Sequence, residues 1–442
     1  MKSTYDLIVI GGGPAGSTMA TLMSRRGYQV LVLEKEQFPR PHVGESMLSK
    51  SYYLFEDLGV LEEMTKRYAR KPGIVFSNTD GSHLTEWDFS KIIENDSSLS
   101  FNVNRADFDQ LLLENSRTAG AEVWEKAQVT AVDLAYTEDQ VLVSGFREGT
   151  VSFEVKGKFL IDASGQGSFM GTRLKSKQPL AKESNRLAIS SHWVEVDYDT
   201  ELAKGNLKIV HLDIEGGGWM WMIPVEENKI GIGTVMSSWY FRKRRRAAQG
   251  DWIEDFYREL VFSSSVAQKV LAKAERSAPV SLSSDYSYRN TQKYGPRFAT
   301  VGDASAFIDP IFSSGVYIAL KSSYLVAEAL DEQFRNGRQD LLPKVYERID
   351  GALEVVEQLV NNYYHPDAIR INEMEELRQS TYEQQRTAMQ TFYLLLSGEF
   401  FDVPKRYLDT IYLLRDKKKL AQYERFIKGK KSKEKMGSLK NS

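Results

Sequence analysis

The chain has 442 residues, 42% hydrophobic and 27% charged, with a formal net charge of −2. That length allows two or three domains or one large interleaved one, and the near-neutral charge gives no reason to expect nucleic acid. The absence of cysteine excludes disulfides and thiol chemistry. No apolar run approaches the ~20 residues of a membrane span, and no signal-peptide pattern opens the chain, so a cytoplasmic protein is expected.

Asp6 to Ile10 predicts a short buried strand, followed by Gly11-Gly12-Gly13-Pro14-Ala15-Gly16-Ser17 and a helix from Ser17 to Arg26. Gly11, Gly13 and Gly16 fit G-x-G-x-x-G, where the glycines give a tight turn, close approach to a pyrophosphate and close helix–strand contact. The helix N-terminus offers N–H groups and a positive dipole end to phosphate. A second strand, Gln29 to Leu33, ends at Glu34, 18 residues past Gly16, close to the usual ~20 for an acid on a ribose 2′-OH. Strand, helix, strand and acid in this order predict dinucleotide binding over a structural turn. No Lys-Ser/Thr follows the glycines, which argues against a P-loop.

Phe38 to Ser46, with two prolines and a glycine, predicts an extended loop. Ser49 to Arg70 predicts a helix, Gly73 to Asn102 short strands and turns, and Arg105 to Ala119 a helix with Phe108, Leu111 and Leu112 on one face. Strands follow at Gln128–Val132, Val141–Phe146, Val151–Val155 and Lys158–Asp162. The last runs into Ala163-Ser164-Gly165, a second place for close backbone approach. From Arg186 to Ser238, aromatic strand-like runs predict an inserted antiparallel sheet. A charged helix is expected over Trp239 to Arg276, then a strand, Phe298 to Val301, and Gly302-Asp303. The loop Ala304 to Ser314 leads to a helix from about Gly315 to Phe334, and Leu341 to the end reads as helical. The fold expected is therefore α/β: a Rossmann-like dinucleotide-binding domain (1–180 and 278–340), an inserted antiparallel sheet (181–277), and a C-terminal helical region (341–442) with a basic tail at Lys428, Lys430, Lys431, Lys433 and Lys435.

Gly302-Asp303 bears on which nucleotide is bound. A nicotinamide protein needs only the first fingerprint, whereas a flavin protein of this kind needs a late acid. A plain strand-end turn is the bland alternative, since Gly-Asp is a common turn pair. At the following helix start, the N–H groups of Ser314, Gly315 and Val316 have no partner within the helix. They suit a small anion or the electron-rich edge of a reduced flavin, and a simple serine cap is compatible with either.

At this point the chain resembles a flavin-dependent halogenase over roughly Tyr5 to Phe334. Gly11–Ser17 matches that family's GGGPAGS, Phe38–Ser46 its FxRxHVGES loop, Trp219–Pro224 its W-x-W-x-I-P, and Gly302–Gly315 its GDAxxFxDPxFSSG. The resemblance implies a fold of the aromatic-hydroxylase type and an enzyme of antibiotic or other secondary metabolism. Reduced FAD and O2 would form a flavin hydroperoxide, chloride or bromide would attack it, and hypohalous acid would travel to a lysine beside an electron-rich ring. A separate NAD(P)H flavin reductase would supply the reduced FAD. Gly11, Gly12, Gly13, Ala15, Gly16 and Glu34 would hold the ADP half, with Arg105 on its phosphates and Arg40 in the adjoining loop. Glu45 and Ser46 would lie along the flavin, and Asp303 and Val316 at its far end. Ser314 and Gly315 would bind halide. Trp219 and Trp221 would wall flavin from substrate, although core packing on an alternating strand explains such indoles equally. No metal is expected.

Lys71 falls where the family carries its essential lysine, although most lysines are solvated surface groups. A buried one would have a depressed pKa and a nucleophilic neutral fraction. Phe312 stands where tryptophan-specific members carry a glutamate, which points away from free tryptophan and toward phenols or pyrroles, free or tethered to a carrier protein. Arg242, Lys243, Arg244, Arg245 and Arg246 would suit an acidic carrier, or form an ordinary charged helix face. Tyr363, Tyr364 and His365 line the pocket or pack in a helical core; His192 and His211 are structural histidines or bases. An aromatic hydroxylase, a prenyl-type reductase of the same fold, and a non-catalytic flavin-binding protein are the alternatives.

Overall fold

A computed structural model describes residues 4–82, 85–180, 186–250, 252–284, 287–365, 368 and 383–415. The apolar strand Thr4–Ile10 is flanked in parallel by Val30–Leu33 and by Val151–Asp162. Phe298–Thr300 continues the sheet beyond Val151–Asp162, and Glu122–Trp124 lies beyond Val30–Leu33. A hairpin, Ala127–Asp133 with Val141–Arg147, adds antiparallel strands. In open α/β sheets ligands bind beyond the carboxyl ends of the strands. The stretches Gly11–Gly16, Ala163–Gly165 and Gly302–Asp303 all follow such ends.

The second sheet runs in the order Glu275–Arg276, Arg186–Val194, Lys229–Ser237, Gly218–Glu226, Leu207–Leu212, Gly73–Asn78, Thr85–Asp88. It thus also draws on two strands that precede the 181–277 segment. Alternation along a strand sends successive side chains to opposite faces. Met220, Met222, Ile230 and Ile232 face outward under the Trp252–Phe262 helix. Trp219, Trp221 and Ile223 face inward, onto the core shared with the nucleotide domain.

Several boundaries differ from the sequence expectation. The opening helix is Pro14–Arg25, entered one turn earlier than expected. Ser49 to Arg70 is not one helix: Tyr52–Asp57 and Leu61–Arg67 are separated at Gly59, whose φ of +73° closes the first. The stretch from Trp239 is three helices, Ser238–Ala247, Trp252–Phe262 and Ser265–Val270. Gly250 at φ +65° and the Ser264 side-chain cap divide them. Val151–Asp162 is a single strand, because Gly157, which reads as a break, lies against Ile8: a Cβ there would come within 2.9 Å of that side chain.

Helices Gly315–Asn336 and Leu341–Tyr364 run from the late glycine–aspartate loop toward the C-terminus, followed by Glu383–Ser397 and Pro404–Leu414. Phe392 and Tyr393 pack on Trp87, with ring centroids 5.3 and 4.5 Å away. Phe400 and Phe401 pack edge-on to Tyr317, and Lys50 pairs with Glu399 at 2.9 Å. These helices therefore close over the residues that precede and follow Lys71. The lysine-rich tail lies outside the described residues. Among the described residues, no helix is long and apolar enough to cross a membrane.

Candidate active site

The glycine loop is built for close approach. A Cβ on Gly11 would lie 2.4 Å from the Ala163 carbonyl, and one on Gly16 would lie 1.9 Å from the Gly11 carbonyl. Gly13, the residue ahead of the helix, is different: a Cβ there would meet only Arg40 Nη2, at 3.4 Å. The open side of Gly13 and the uncapped helix start beside it form a cradle suited to phosphate. The Gly12 N–H donates to Glu34 Oε2 at 2.6 Å and the Glu36 N–H to Oε1 at 2.8 Å, fixing that carboxylate at the rim. Ala15 is buried, with its carbonyl accepting from Ser323 of the Gly315–Asn336 helix.

Arg105 sits at the start of its helix after the Asn104 cap. Its guanidinium is bidentate to Asp109 and donates to the carbonyls of Val43 and Gly44. It therefore shapes the Phe38–Ser46 loop, while Arg40, which pairs with Glu36 and Asp109, is the cation facing the glycine loop. Asp303 follows Gly302, whose φ is +58°. Burial pushes the Asp303 carboxyl up to about 7, and Arg105 pulls it the other way. A carboxyl so poorly solvated fits a polar ligand group above it.

Glu45 is buried and contacts the ring of His192, on the second sheet, through Oε1. It fits there because the facing residue is Gly231, where a Cβ would lie 2.2 Å from the carboxylate. His192 is thus a partner of the loop. His211, on the Leu207–Leu212 strand, is exposed. The next residue, Ser46, accepts from Lys71 Nζ at 2.9 Å, and the Met47 carbonyl accepts from the same nitrogen at 2.8 Å. Lys71 ends the short strand Ala69–Lys71, directly opposite Ser100 of Ser100–Asn102. It is fully buried, and burial pushes its amine down to about 7. A neutral amine has two N–H donors and one lone pair. Both donors are satisfied here, so the lone pair is the group left free to react.

Trp219 and Trp221 are buried side by side on the inner face, ring centroids 5.7 Å apart and tilted by 50°. Trp221 lies over Gly233, where a Cβ would fall 2.1 Å from its ring. Trp219 Nε1 donates to Tyr364 Oη at 2.7 Å, and Tyr364 donates to Asp309 Oδ2 at 2.9 Å. Asp309 opens the loop Pro310–Phe312, which passes through Ser313 at φ +54° to Ser314 and the helix beginning at Gly315. Ser314 is buried, and Gly315 and Val316 are half-buried. Phe312 is buried and meets the Tyr363 ring edge-on.

Residues 4–362 match the FAD binding domain family. The chain is 32% identical over 356 residues to the 1H-pyrrole-2-carbonyl-[peptidyl-carrier protein] chlorinase of Pseudomonas fluorescens, covering 75% of this chain and 77% of that protein. This chain is a member of the flavin-dependent halogenases. A second relative of this halogenase, the tryptophan 2-halogenase of Chondromyces crocatus, is also 32% identical, over 75% of this chain and 62% of that longer protein. The fold matches a solved triple mutant of the flavin-dependent brominase Bmp2 (TM-score 0.77, 25% identity, 95% of this chain and 100% of that one). It also matches the halogenase CmlS (TM-score 0.74, 27% identity, 89% and 71%). The α/β FAD-binding fold with its antiparallel sheet and C-terminal helices is that of these enzymes.

Sequence reasoning on this halogenase missed Gly231 and Gly233. Their signal was present in Ile230-Gly231-Ile232-Gly233: a strand that keeps one face bare makes room for something large. It left Tyr364 undecided between core and pocket, and did not single out Asp309 as the carboxylate beneath it.

Proposed function

We propose that this chain chlorinates or brominates an electron-rich aromatic ring, phenolic or pyrrolic, free or held on a carrier protein. It would use FAD reduced by a separate NAD(P)H flavin reductase, together with O2 and halide. The single observation that carries this reading is the Lys71 amine, fully buried, down-shifted and hydrogen-bonded through both of its neutral-state donors. Bound reduced FAD would supply the activation of O2 that turns halide into hypohalous acid. Gly11, Gly12, Gly13, Ala15, Gly16 and Glu34 hold its nucleotide half, with Arg40 toward the phosphates. Arg105, Glu45 and Ser46 shape the loop along the flavin, and Asp303 and Val316 take its far end.

The N–H groups at Ser314 and Gly315 hold the halide at the helix start. Trp219 and Trp221 keep the organic ring off the flavin, so the oxidant meets halide before carbon. Hypohalous acid transfers its halogen to Lys71 with loss of water. The ring then attacks that halogen, the amine is restored and the ring proton leaves. The buried aromatic at Phe312, with no carboxylate at that position, supports a ring already activated by its own oxygen or nitrogen. The carrier-protein chlorinase relative supports a tethered substrate among those to be tried.

The test is Lys71→Ala supplied with reduced FAD, O2 and chloride or bromide, with free and carrier-bound phenols and pyrroles. FAD binding and flavin reoxidation are expected to persist while the halogen isotope pattern disappears from the product. Halogenated product at the wild-type rate overturns the assignment, and an added oxygen atom in place of halogen from the wild type would make it a hydroxylase.

A further inference from the structure

We propose that Tyr364 is a positioning residue that ties the barrier indole to the halide loop, so that the wall and the anion site are set together. The inference rests on the halogenase reading of this site. Three residues far apart in the chain meet in one line, its two ends buried and its middle half-buried: Trp219 on the central strand of the second sheet, Tyr364 at the end of the Leu341–Tyr364 helix, and Asp309 at the start of the loop. An indole N–H only donates and an ionised carboxylate only accepts, so the phenol accepts from Trp219 and donates to Asp309 in its ionised form. The other carboxylate oxygen of Asp309 accepts from the Ile311 N–H at 3.1 Å. That bond caps the turn Pro310–Phe312, which delivers Ser314 and Gly315 to the helix start. One carboxylate therefore shapes the loop with one oxygen and holds the wall, through Tyr364, with the other.

The line is braced on its far side. The Arg186 guanidinium lies over the Tyr364 ring at 3.6 Å from its centroid. Arg186 also donates to the Gly217 carbonyl, immediately before the strand that carries both indoles. Trp219 and Asp309 are both 1% exposed. Removing the phenol oxygen leaves a buried N–H and a buried carboxylate oxygen unpaired, and hydrogen bonds to charged groups are the costly ones to lose. A tyrosine that merely filled space would lose nothing of this kind on becoming phenylalanine.

The experiment compares Tyr364→Phe with wild type in the FAD-supplied enzyme and in the flavin-free chain. In turnover, the half-saturating bromide concentration is expected to rise about tenfold, the size of one charge-assisted hydrogen bond. The share of flavin reoxidation released as hydrogen peroxide is expected to rise with it, while FAD affinity and the reoxidation rate hold. In the flavin-free chain, hydrogen exchange is expected to quicken together at amides 311–316 and 218–223. Asp309→Asn is expected to act alike, and the double variant to be no worse than either single. An unchanged bromide dependence and peroxide share, or single effects that add in the double variant, overturns the link. Should Tyr364→Phe fail to fold, Asp309→Asn reads the same connection from its other end. A wild type with no halide dependence refutes the halogenase reading instead, and the exchange comparison then decides the link alone: paired quickening supports it, unpaired overturns it.

Discussion

Replacing Lys71 with methionine is expected to change how the stability of the fold depends on pH. The amine is fully buried and its pKa falls from 10.5 to about 7, with burial as the cause. At pH 7 the unfolded chain carries a charged lysine that the folded chain holds half neutral, a penalty on the order of 4 kcal/mol. Methionine removes that penalty but leaves Ser46 Oγ and the Met47 carbonyl without their donor, at a cost of about 1–3 kcal/mol for each. The two terms are of similar size at pH 7, so the dependence on pH carries the test. The sign with pH follows from linkage. Between pH 7 and 10.5 the unfolded state binds the lysine proton and the folded state does not, so wild-type stability rises through that window. Below pH 7 the penalty is present in full. Urea unfolding of the FAD-saturated proteins at pH 7, 8, 9 and 10 reads the difference between variant and wild type, in which other titrations cancel. The stability of Lys71→Met relative to wild type should fall by about 1 kcal/mol for each pH unit. Parallel stability curves would show that Lys71 is charged, or solvated, in the folded protein, and the argument for a reactive amine would fail with them.

Two further outcomes are expected. Gly233→Ala places a Cβ 2.1 Å from the Trp221 ring, so the indole must shift; hydrogen peroxide yield per reduced FAD consumed should rise while FAD affinity holds, and an unchanged yield would remove Trp221 from the wall. Asp303 is pushed up to about 7, so if its carboxylate receives a flavin hydroxyl, FAD affinity should fall by up to about tenfold per pH unit below 7. Titration of Asp303→Asn should lose that dependence, and an equally steep dependence in the variant would assign it to another group.

What the sequence could reveal was set by distance along the chain. The glycine fingerprint was legible because its partners are local: Gly16 packs on Gly11, and Glu34 reaches back to the Gly12 N–H. The two aromatic-motif indoles were legible as a pattern, and the strand's alternation sends Met220 and Met222 to the other face. Gly59 and Gly250 were visible but not used, and each divides what looked like one helix. The contacts that assemble the site join residues far apart in the chain. Glu45 needs Gly231, Trp221 needs Gly233, and Trp219 needs Tyr364 and, through it, Asp309. No periodicity encodes such meetings, because each depends on how two sheets and a helix are packed. Arg105 shows the same limit. The family resemblance implied phosphate for it, but its fork is occupied by Asp109 and the Val43 and Gly44 carbonyls.

Lys71 is where structure adds most to sequence, because composition alone cannot separate it from the many other lysines. Among the described residues, three lysines are buried: Lys71, Lys208 and Lys293. Lys208 contacts Asp199 and Lys293 contacts Asp350, so each carries its counter-charge into the interior. Lys71 meets only a hydroxyl and a carbonyl, with the Phe89 ring 6.0 Å away. An ammonium there would be desolvated without repayment, and the site relieves that by giving up the proton. Surface lysines avoid the penalty by staying in water, and structural buried lysines by pairing. Lys71 does neither, and perturbed groups of this kind gather at reactive centres. The loop carrying Ser46 and Met47 also carries Glu45, which rests against the second sheet at Gly231. The strand that holds the two indoles is bonded directly to that strand. The amine and the two indoles are therefore mounted on parts that touch.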